Sequence, residues 1–226
     1  MIWRRKMNDQ EMMNKPMDKQ NISPAVIRRL PRYYRYLCEL IARGQTRISS
    51  GELARMMHVT ASQIRQDLNC FGGFGQQGYG YTVKGLRDEI KKILGLNKGY
   101  KAVMIGAGNF GAAIVNYLDF NKLGFELAGC FDCDKEKLGK QLGGLTIMDD
   151  SLLDSFCKEN EIEAAFLCIP KESVESILDK LYGLGIKCYW NFSHYDLSSK
   201  YSDVVVENVH LSDSLMTLCY RMNNSK

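Results

Sequence analysis

The hydrophobic pattern predicts helices in the first part of the chain and alternating strands and helices in the second. Residues 1–22 are rich in Met, Asn, Gln and Lys without an apolar period, which is typical of a flexible extension. From Ser23 and Pro24, which suit a helix start, apolar residues recur at helical spacing, and Pro31 predicts a kink or a new helix start. The members of the stripe are Val26, Ile27, Leu30, Tyr34, Leu37 and Ile41.

Two short helices joined by a tight turn are predicted next. A capping box at Ser49 and Glu52 opens the first, and a box of the T-x-x-Q type at Thr60 opens the second. The outer face of the second helix is polar and basic, and is formed by Ser62, Gln63, Arg65 and Gln66. This pattern is typical of a helix-turn-helix, but an ordinary helical hairpin has the same features.

A glycine-rich segment from Phe71 to Tyr81 follows, and five glycines in ten residues rule out a helix. Alternation resumes at Tyr79, Tyr81 and Val83, so we predict a β-hairpin, the wing of a winged helix, with Gln76 and Gln77 at its tip. An amphipathic helix from Leu86 to Leu94 completes a first domain that we place at residues 23–96.

The second domain opens with a strand, Tyr100–Ile105, and a glycine-rich turn that leads directly into a helix. The turn is Gly106-Ala107-Gly108-Asn109-Phe110-Gly111. Its position between strand and helix is the context of a dinucleotide-binding site: the first glycine makes the turn, the second admits a pyrophosphate, and the third allows close packing. A Rossmann-like domain that binds nothing is the alternative.

Asp132 ends the second predicted strand, 21 residues after Gly111. A carboxylate there accepts hydrogen bonds from the adenosine ribose and would repel a 2′-phosphate, so we predict NAD(H) as the cofactor. Pro170 ends the strand Glu163–Ile169 and faces the same crevice.

The β–α rhythm continues with a helix at Ser173–Leu184 and strands at Ile186–Trp190 and Asp203–Val206, so we place the Rossmann domain at residues 97–208. A terminal amphipathic helix, within residues 209–226, has an apolar stripe that suits a dimer element or its own sheet. The predicted fold class is therefore α/β, a winged helix-turn-helix domain followed by a Rossmann domain.

Charge separates the two predicted domains. Residues 1–90 hold 15 Lys and Arg and 8 Asp and Glu, whereas residues 91–226 hold 15 and 18. The basic first part, with aromatic residues among its arginines, favours DNA phosphates as a partner, although a solvated helix face is the simpler interpretation. No apolar run reaches the roughly 18 residues that span a bilayer, and no signal peptide is visible. We therefore expect a cytoplasmic protein without a membrane partner.

The cysteines and histidines suggest little chemistry. Cys130 and Cys133 form one C-x-x-C, which leaves a redox dithiol open, and Cys168 and Cys188 are expected to be buried in strands. The three histidines are His58, His194 and His210, so we predict no metal site. His194 and His210 are also the candidate acid–base residues, but the chain has no room for a substrate domain. We favour a non-enzyme over the alternative, a small NAD-dependent oxidoreductase.

Six motifs resemble, in order and spacing, the Rex family of bacterial redox-sensing transcriptional repressors. They are Arg29-Leu-Pro-x-Tyr-Tyr-Arg35-Tyr-Leu37, Val59-Thr-Ala-x-Gln-Ile-Arg65-x-Asp67-Leu68, Gly78-x-Gly-Tyr81-x-Val83, the Gly106–Gly111 turn, Phe131-Asp132-x-Asp134 and Val206-Glu-Asn-Val209. The resemblance implies a homodimer with exchanged C-terminal helices. It also implies binding to inverted-repeat operator DNA and release when NADH displaces NAD⁺.

The resemblance assigns roles to single residues. Implied DNA-binding positions are Arg29, Arg47, Ser49, Thr60, Ser62, Gln63, Arg65, Gln66, Gln77 and Tyr81. Implied cofactor-binding positions are the turn Gly106–Gly111, Asp132, Pro170 and Tyr117. Arg29 and Tyr117 match positions that exchange partners between the DNA-bound state and the NADH-bound state. His210 and Leu211 complete this set of switch residues.

The chain departs from the family at the switch. Where this chain has His210, the family has an aspartate that pairs with the positions of Arg29 and Tyr117. Leu211 replaces an aromatic residue, and His194 replaces a proline. Gln66 and Gln77 replace basic residues. We therefore expect a weaker grip on phosphates and an altered NADH response, which leaves a paralogous regulatory role open.

Overall fold

A computed structural model of the chain describes residues 22–72 and 80–225. The chain divides into two compact units, one up to Gly95 and one from Leu96 onward. Residues 1–21 of the predicted extension lie outside the described residues, as does the predicted wing tip with Gln76 and Gln77. None of the described helices is long and apolar enough to cross a bilayer.

The first unit is a small helical domain with a two-stranded ribbon. Its elements are α1 (Pro24–Ala42), β1 (Arg47–Ile48), α2 (Ser50–Met57), α3 (Ala61–Asn69), β2 (Tyr81–Thr82) and α4 (Val83–Ile93). β1 and β2 pair antiparallel, with Ile48 opposite Tyr81. The predicted alternation through Val83 is wrong, because the strand ends at Thr82 and Val83 already begins α4.

Pro31 does not start a new helix, because α1 runs as one helix from Pro24 to Ala42. Pro31 lies on the exposed side, where water can bond the carbonyl that the missing N–H leaves free. The buried stripe is Val26, Leu30, Tyr33, Leu37 and Leu40. Ile27, predicted to face the core, is 48% exposed, so the true apolar face is rotated toward Tyr33 and Leu40.

The second unit is a seven-stranded sheet with helices between its strands. Its strands are β3 (Tyr100–Ile105), β4 (Phe125–Asp132), β5 (Gln141–Leu142), β6 (Leu145–Asp149), β7 (Ala164–Leu167), β8 (Cys188–Asn191) and β9 (Val205–Asn208). Its helices are α5 (Asn109–Tyr117), α6 (Leu153–Asn160), α7 (Lys171–Gly183), α8 (Leu197–Lys200) and α9 (Leu211–Asn223), with 3₁₀ turns at Phe120–Leu123 and Asp150–Leu152.

The strand order is β5-β6-β4-β3-β7-β8-β9, and every pairing is parallel except that of β5 with β6. The chain moves outward from β3 in one direction and then in the other, so the order reverses between β3 and β7. This reversal opens a crevice at the carboxyl ends of the strands, where α/β proteins bind ligands. The predicted fold class is confirmed.

In the second unit the sequence missed β5, β6, α6 and α8, and it misplaced the last strand. Strand β9 is Val205–Asn208, two residues later than predicted at each end, and the last helix begins at Leu211, inside the predicted range of 209–226. No residue of α9 is buried. Cys188, expected inside a strand core, is exposed, and Cys168 is partly buried.

Candidate nucleotide-binding and DNA-binding sites

Two glycines of the turn after β3 are required by the protein's own packing. Gly106 has φ +95°, and a Cβ there would lie 2.5 Å from the carbonyl oxygen of Cys168. A Cβ on Gly111 would lie 2.0 Å from the carbonyl oxygen of Gly106. Both distances are far below van der Waals contact, so side chains at these positions would force the β3–α5 unit apart.

Gly108 is different, because a Cβ there would meet nothing within 4 Å. It is the N-cap of α5, and no side chain caps the first turn of that helix. The first N–H groups of α5 therefore have no side-chain cap, and a helix N-terminus of this kind can bind phosphate. The ring of Phe110 is 39% exposed and packs edge-on against Phe192, with centroids 5.1 Å apart.

Asp132 lies at the carboxyl end of β4 and is almost buried. Its Oδ2 accepts hydrogen bonds from the Ala107 N–H at 2.9 Å and from Lys137 Nζ at 3.1 Å. Its Oδ1 accepts from the Asp134 N–H at 2.8 Å. The hydrogen bond to Asp132 raises the pKa of Lys137. Lys137 was not predicted, although its place in the turn after Asp132 was a usable signal.

The edge of the crevice beyond Asp132 is acidic. Asp149 lies opposite Asp132 in the β4–β6 register, and Asp150 follows it. Burial raises the pKa of Asp150, and the charges of Asp132 and Asp149 raise it further. Lys137 pairs with Asp132 and Asp134, and Lys180 pairs with Asp154, so lysines balance part of this charge.

The other predicted cofactor positions fall in two places. Pro170 is the N-cap of α7, three residues after β7 ends beside β3, and so belongs to the same sheet edge as Gly106. Tyr117 ends α5, about 12 Å along the helix axis from Asn109 at 1.5 Å per residue. Tyr117 is 86% exposed. The structure therefore does not bring Tyr117 to the turn of its own chain, and its role at the cofactor stays a prediction.

The first unit contains the two predicted helix starts. At Ser49 the capping box is complete: Ser49 Oγ accepts from the Glu52 N–H at 3.1 Å, and Glu52 Oε2 accepts from the Ser49 N–H at 2.8 Å. At Thr60 only half of the box forms, since Thr60 Oγ1 accepts from the Gln63 N–H at 3.1 Å. The Gln63 side chain turns instead to Asp67, which is one helical turn further on.

Asp67 is a fully buried carboxylate in α3 that joins α3 to α1. It accepts hydrogen bonds from Arg29 at 2.6 and 2.8 Å, from the Tyr33 hydroxyl at 2.6 Å and from Gln63 Nε2 at 2.8 Å. Burial alone would raise the pKa of Asp67, but the hydrogen bonds from Arg29, Tyr33 and Gln63 lower it below its usual value. The role of Asp67 was missed, although its i+4 spacing from Gln63 was visible.

The predicted DNA-binding residues are not equally available. Ser62, Arg65, Gln66, Arg47 and Ser49 are exposed. The side chain of Arg29 is engaged by Asp67 and is 25% exposed. Tyr81 is only 8% exposed and belongs to the core of the unit, so the structure does not support a DNA contact for its ring. Gln77 lies outside the described residues.

Comparison with known proteins identifies the family. A family profile described as "Putative DNA-binding protein N-terminus" matches residues 21–69, and one described as "CoA binding domain" matches residues 97–195. The redox-sensing transcriptional repressor Rex of Thermoanaerobacter pseudethanolicus is 52% identical over 208 residues, 92% of each chain. Rex of Clostridioides difficile is 50% identical over 210 residues, 93% of this chain and 100% of that one. The chain belongs to the Rex family.

Solved Rex structures agree with this assignment. The crystal structure of RSP in complex with β-NAD⁺ and operator DNA has a TM-score of 0.84 and 52% identity, and covers 92% of this chain and 95% of that chain. The complex of RSP with β-NADH has a TM-score of 0.83 and 50% identity, and covers 90% and 95%. The resemblance read from the six motifs is confirmed, and the Rex relatives are named as repressors rather than enzymes.

Two of the predicted switch positions, Arg29 and His210, have partners that the sequence did not predict. His210, the N-cap of α9, has its Nδ1 2.6 Å from Nδ1 of His194. Leu211 beside it is 59% exposed. Arg29, on the first unit, pairs with Asp67 of that same unit. His210 and His194 are the two positions at which the resemblance implied an aspartate and a proline.

Proposed function

We propose that this Rex-family chain is an NAD(H)-responsive repressor that binds inverted-repeat operator DNA and leaves it when NADH binds. The observation that carries the proposal is the open turn at Gly108, the one glycine of the G-x-G-x-x-G for which the fold itself gives no steric reason. A glycine that packing does not require suits close approach of a pyrophosphate. The RSP complexes with β-NAD⁺, β-NADH and operator DNA support the same ligands here.

In the proposed complex, the first turn of α5 binds the pyrophosphate and Asp132 binds the adenosine ribose. A carboxylate offers about four acceptor positions. Asp132 uses three of them, for Ala107, Asp134 and Lys137, which leaves room for a ribose hydroxyl. Phe110 and Pro170, at the same edge of the sheet, would border the rest of the cofactor.

The proposed DNA-binding surface is the exposed side of α3 with β1. Ser62, Arg65 and Gln66 are positioned to reach the major groove, and Arg47 and Ser49 suit phosphates. Gln63 and Arg29 act through Asp67, which fixes α3 on α1, and Thr60 caps the helix. The wing with Gln77 belongs to this proposal by its position in the sequence.

We also propose a homodimer in which α9 of one copy covers the sheet of the other. Large apolar side chains of α9 are between 51% and 71% exposed: Leu211, Leu215, Met216, Leu218, Tyr220 and Met222. The same unit has an apolar cavity of about 560 Å³ on its sheet, lined among others by Phe120, Phe166, Trp190 and Val205. Each copy thus has both an uncovered helix and an uncovered sheet face, and two copies can satisfy both by symmetry.

In this proposal NADH acts as a signal. The dimer has one shape that fits DNA and another that does not. NADH can release DNA only if it binds the second shape more tightly than the first. NAD⁺ and NADH differ at the nicotinamide ring, which is charged in one and neutral in the other. Operator DNA must in turn weaken NADH binding by the same factor.

The test is fluorescence anisotropy of a labelled duplex with a Rex-type inverted repeat, at fixed salt concentration, titrated with NADH and separately with NAD⁺. We expect specific binding, release by NADH and little release by NAD⁺. A protein that binds DNA but ignores NADH would contradict the redox response and direct attention to His210, Leu211 and His194. A protein that never binds the repeat would contradict the operator assignment.

A further inference from the structure

Lys137 lies beside Asp132, the carboxylate to which the proposed function assigns the adenosine ribose. Its Nζ is 3.1 Å from Oδ2 of Asp132 and 3.3 Å from Oδ2 of Asp134, and its side chain is 33% exposed. A free lysine at the ribose would attract a 2′-phosphate, because an ammonium binds phosphate as a point charge. Given the proposed nucleotide site, on which this inference rests, we propose that Lys137 is its positioning and specificity residue. Paired with Asp132, it directs that carboxylate to the ribose hydroxyls of NAD(H); released from Asp132, it would bind the 2′-phosphate of NADP(H).

The turn that carries Lys137 is fixed along its backbone. Asp134 Oδ1 accepts a hydrogen bond from the Glu136 N–H at 3.0 Å, and the Lys137 N–H donates to the Asp134 carbonyl at 2.9 Å. The Gly139 N–H donates to the carbonyl of Ile147 at 2.9 Å, which attaches the turn to β6. The lysine therefore reaches Asp132 from a fixed backbone, and its side chain alone has freedom to change partners.

The hydrogen bonds of Asp132 divide its two oxygens. Oδ2 accepts from the Ala107 N–H at 2.9 Å and from Lys137 Nζ at 3.1 Å, whereas Oδ1 accepts from the Asp134 N–H at 2.8 Å. Each carboxylate oxygen has two lone pairs, so Oδ2 is filled and Oδ1 keeps one acceptor position for a ribose hydroxyl. Without the ammonium, both oxygens would have an open position, and the carboxylate would lose one of the contacts that fix its rotation.

The charges at this edge give the lysine two effects on nucleotide binding. Asp149 lies opposite Asp132 on the neighbouring strand, and Asp150 follows it. A dinucleotide brings a negatively charged pyrophosphate to this acidic edge, so the cation of Lys137 favours binding. The same cation is engaged by two carboxylates while Asp132 is charged, so a 2′-phosphate would meet the charge of Asp132 instead of a free ammonium. Discrimination between the two nucleotides therefore depends on the pair and not on the aspartate alone.

Titration of the full chain with NADH, followed by nucleotide fluorescence without DNA, tests the positioning role. Lys137→Met keeps the apolar stem and removes the charge, so we expect NADH binding about three- to tenfold weaker, the range of one lost hydrogen bond. Lys137→Arg should restore binding, because a guanidinium can pair with both carboxylates. Lys135→Met, at an exposed position of the same turn, is the matched control and should bind NADH as the wild type does. Unchanged NADH binding by Lys137→Met would overturn this role, whereas a wild-type chain that binds no NADH would contradict the proposed function itself.

The ratio of NADPH to NADH affinity tests the specificity role, and a merely structural role of Lys137 would not change it. Asp132→Asn removes the charge that holds the lysine, so we expect this ratio to rise about tenfold or more, the effect of one new charge-assisted contact with the 2′-phosphate. Adding Lys137→Met to Asp132→Asn should abolish the rise, and adding Lys135→Met should leave it. No rise in Asp132→Asn, or a rise that survives Lys137→Met, would overturn the assignment of the 2′-phosphate to Lys137.

Discussion

Arg29 and Asp67 form a two-point ion pair, with Arg29 Nε 2.6 Å from Oδ2 and Nη2 2.8 Å from Oδ1 of the carboxylate. Asp67 is fully buried, whereas the arginine side chain is 25% exposed. The pair joins α1 to α3, the proposed recognition helix. The stability of the first unit and the position of its DNA-binding surface therefore depend on the same carboxylate.

Replacing Asp67 should lower the stability of the first unit and disturb the position of its DNA-binding surface. Asp67→Asn leaves the Arg29 charge and the Tyr33 hydroxyl without a full acceptor, so we expect a loss of roughly 1–3 kcal/mol in unfolding free energy. Urea unfolding of the full chain, followed by circular dichroism, measures it. Glu89→Gln, which removes an exposed ion pair with Lys92, is the control and should change little. Equal midpoints for Asp67→Asn and wild type would show that the pair contributes nothing.

The same carboxylate predicts a pH dependence. The pKa of Asp67 is lowered in the folded chain, so its contribution is present above the unfolded value of about 3.9 and is lost as the pH falls through the folded value. Urea midpoints of wild type and Asp67→Asn should therefore converge as the pH is lowered from 6 toward 2. A constant difference over that range would contradict the lowered pKa.

The glycine-rich turn allows binding to be separated from folding. Gly108→Ala adds a methyl group to open space, so we expect an unchanged melting temperature and NADH binding weakened about tenfold or more, because the methyl occupies the pyrophosphate position. Gly111→Ala places a Cβ against the Gly106 carbonyl and should lower the melting temperature by several degrees. Differential scanning fluorimetry and NADH fluorescence titration measure the two effects. Tight NADH binding by Gly108→Ala would remove the main argument for the site.

The C-x-x-C pair should behave as two separate thiols. Burial raises the pKa of Cys130 to about 11, whereas Cys133 is exposed. Because the thiolate is the reactive form, iodoacetamide at pH 8 should modify Cys133 and leave Cys130 intact in the folded protein. Peptide mass spectrometry reads the outcome. Rapid formation of a disulfide between the two under mild oxidation would favour the redox dithiol that the sequence left open.

The proposed dimer depends on α9. Leu215 is 63% exposed in a single copy, so Leu215→Glu should leave the fold of that copy intact and shift the protein toward the monomer. Sedimentation velocity at several protein concentrations measures the shift. Asp213→Asn, in the first turn of the same helix, serves as a polar control. A stable dimer in Leu215→Glu would exclude α9 as the main contact.

Local patterns predicted most of what the structure contains. The turn from Gly106 to Gly111 was identified because its three glycines lie within six residues. The starts of α2 and α3 were identified by their capping residues, Ser49 and Thr60. The predicted apolar face of α1 contained Tyr34 and not Tyr33. Tyr33 faces inward, where its hydroxyl donates to Asp67, 34 residues further along the chain. The pairing of β1 with β2 likewise connects distant residues, and neither strand is long enough to show a period.

The site residues divide in the same way. Asp132 and the turn could be predicted from spacing alone. Lys137 and Asp67 left a weaker local signal, their spacing from Asp132 and Gln63. The histidine pair joins two separate segments and left no signal in the sequence. Tyr117 was assigned to the cofactor by family resemblance, and the length of α5 separates it from the turn of its own chain.

Gly108 has an evolutionary consequence. Since the fold tolerates a side chain there, selection for folding does not protect this position, and only selection for the ligand does. One nucleotide substitution from glycine to alanine would then yield a repressor that still occupies its operators but no longer responds to the redox state of the cell. Loss of sensing is, for this chain, a single mutational step that leaves a folded protein behind.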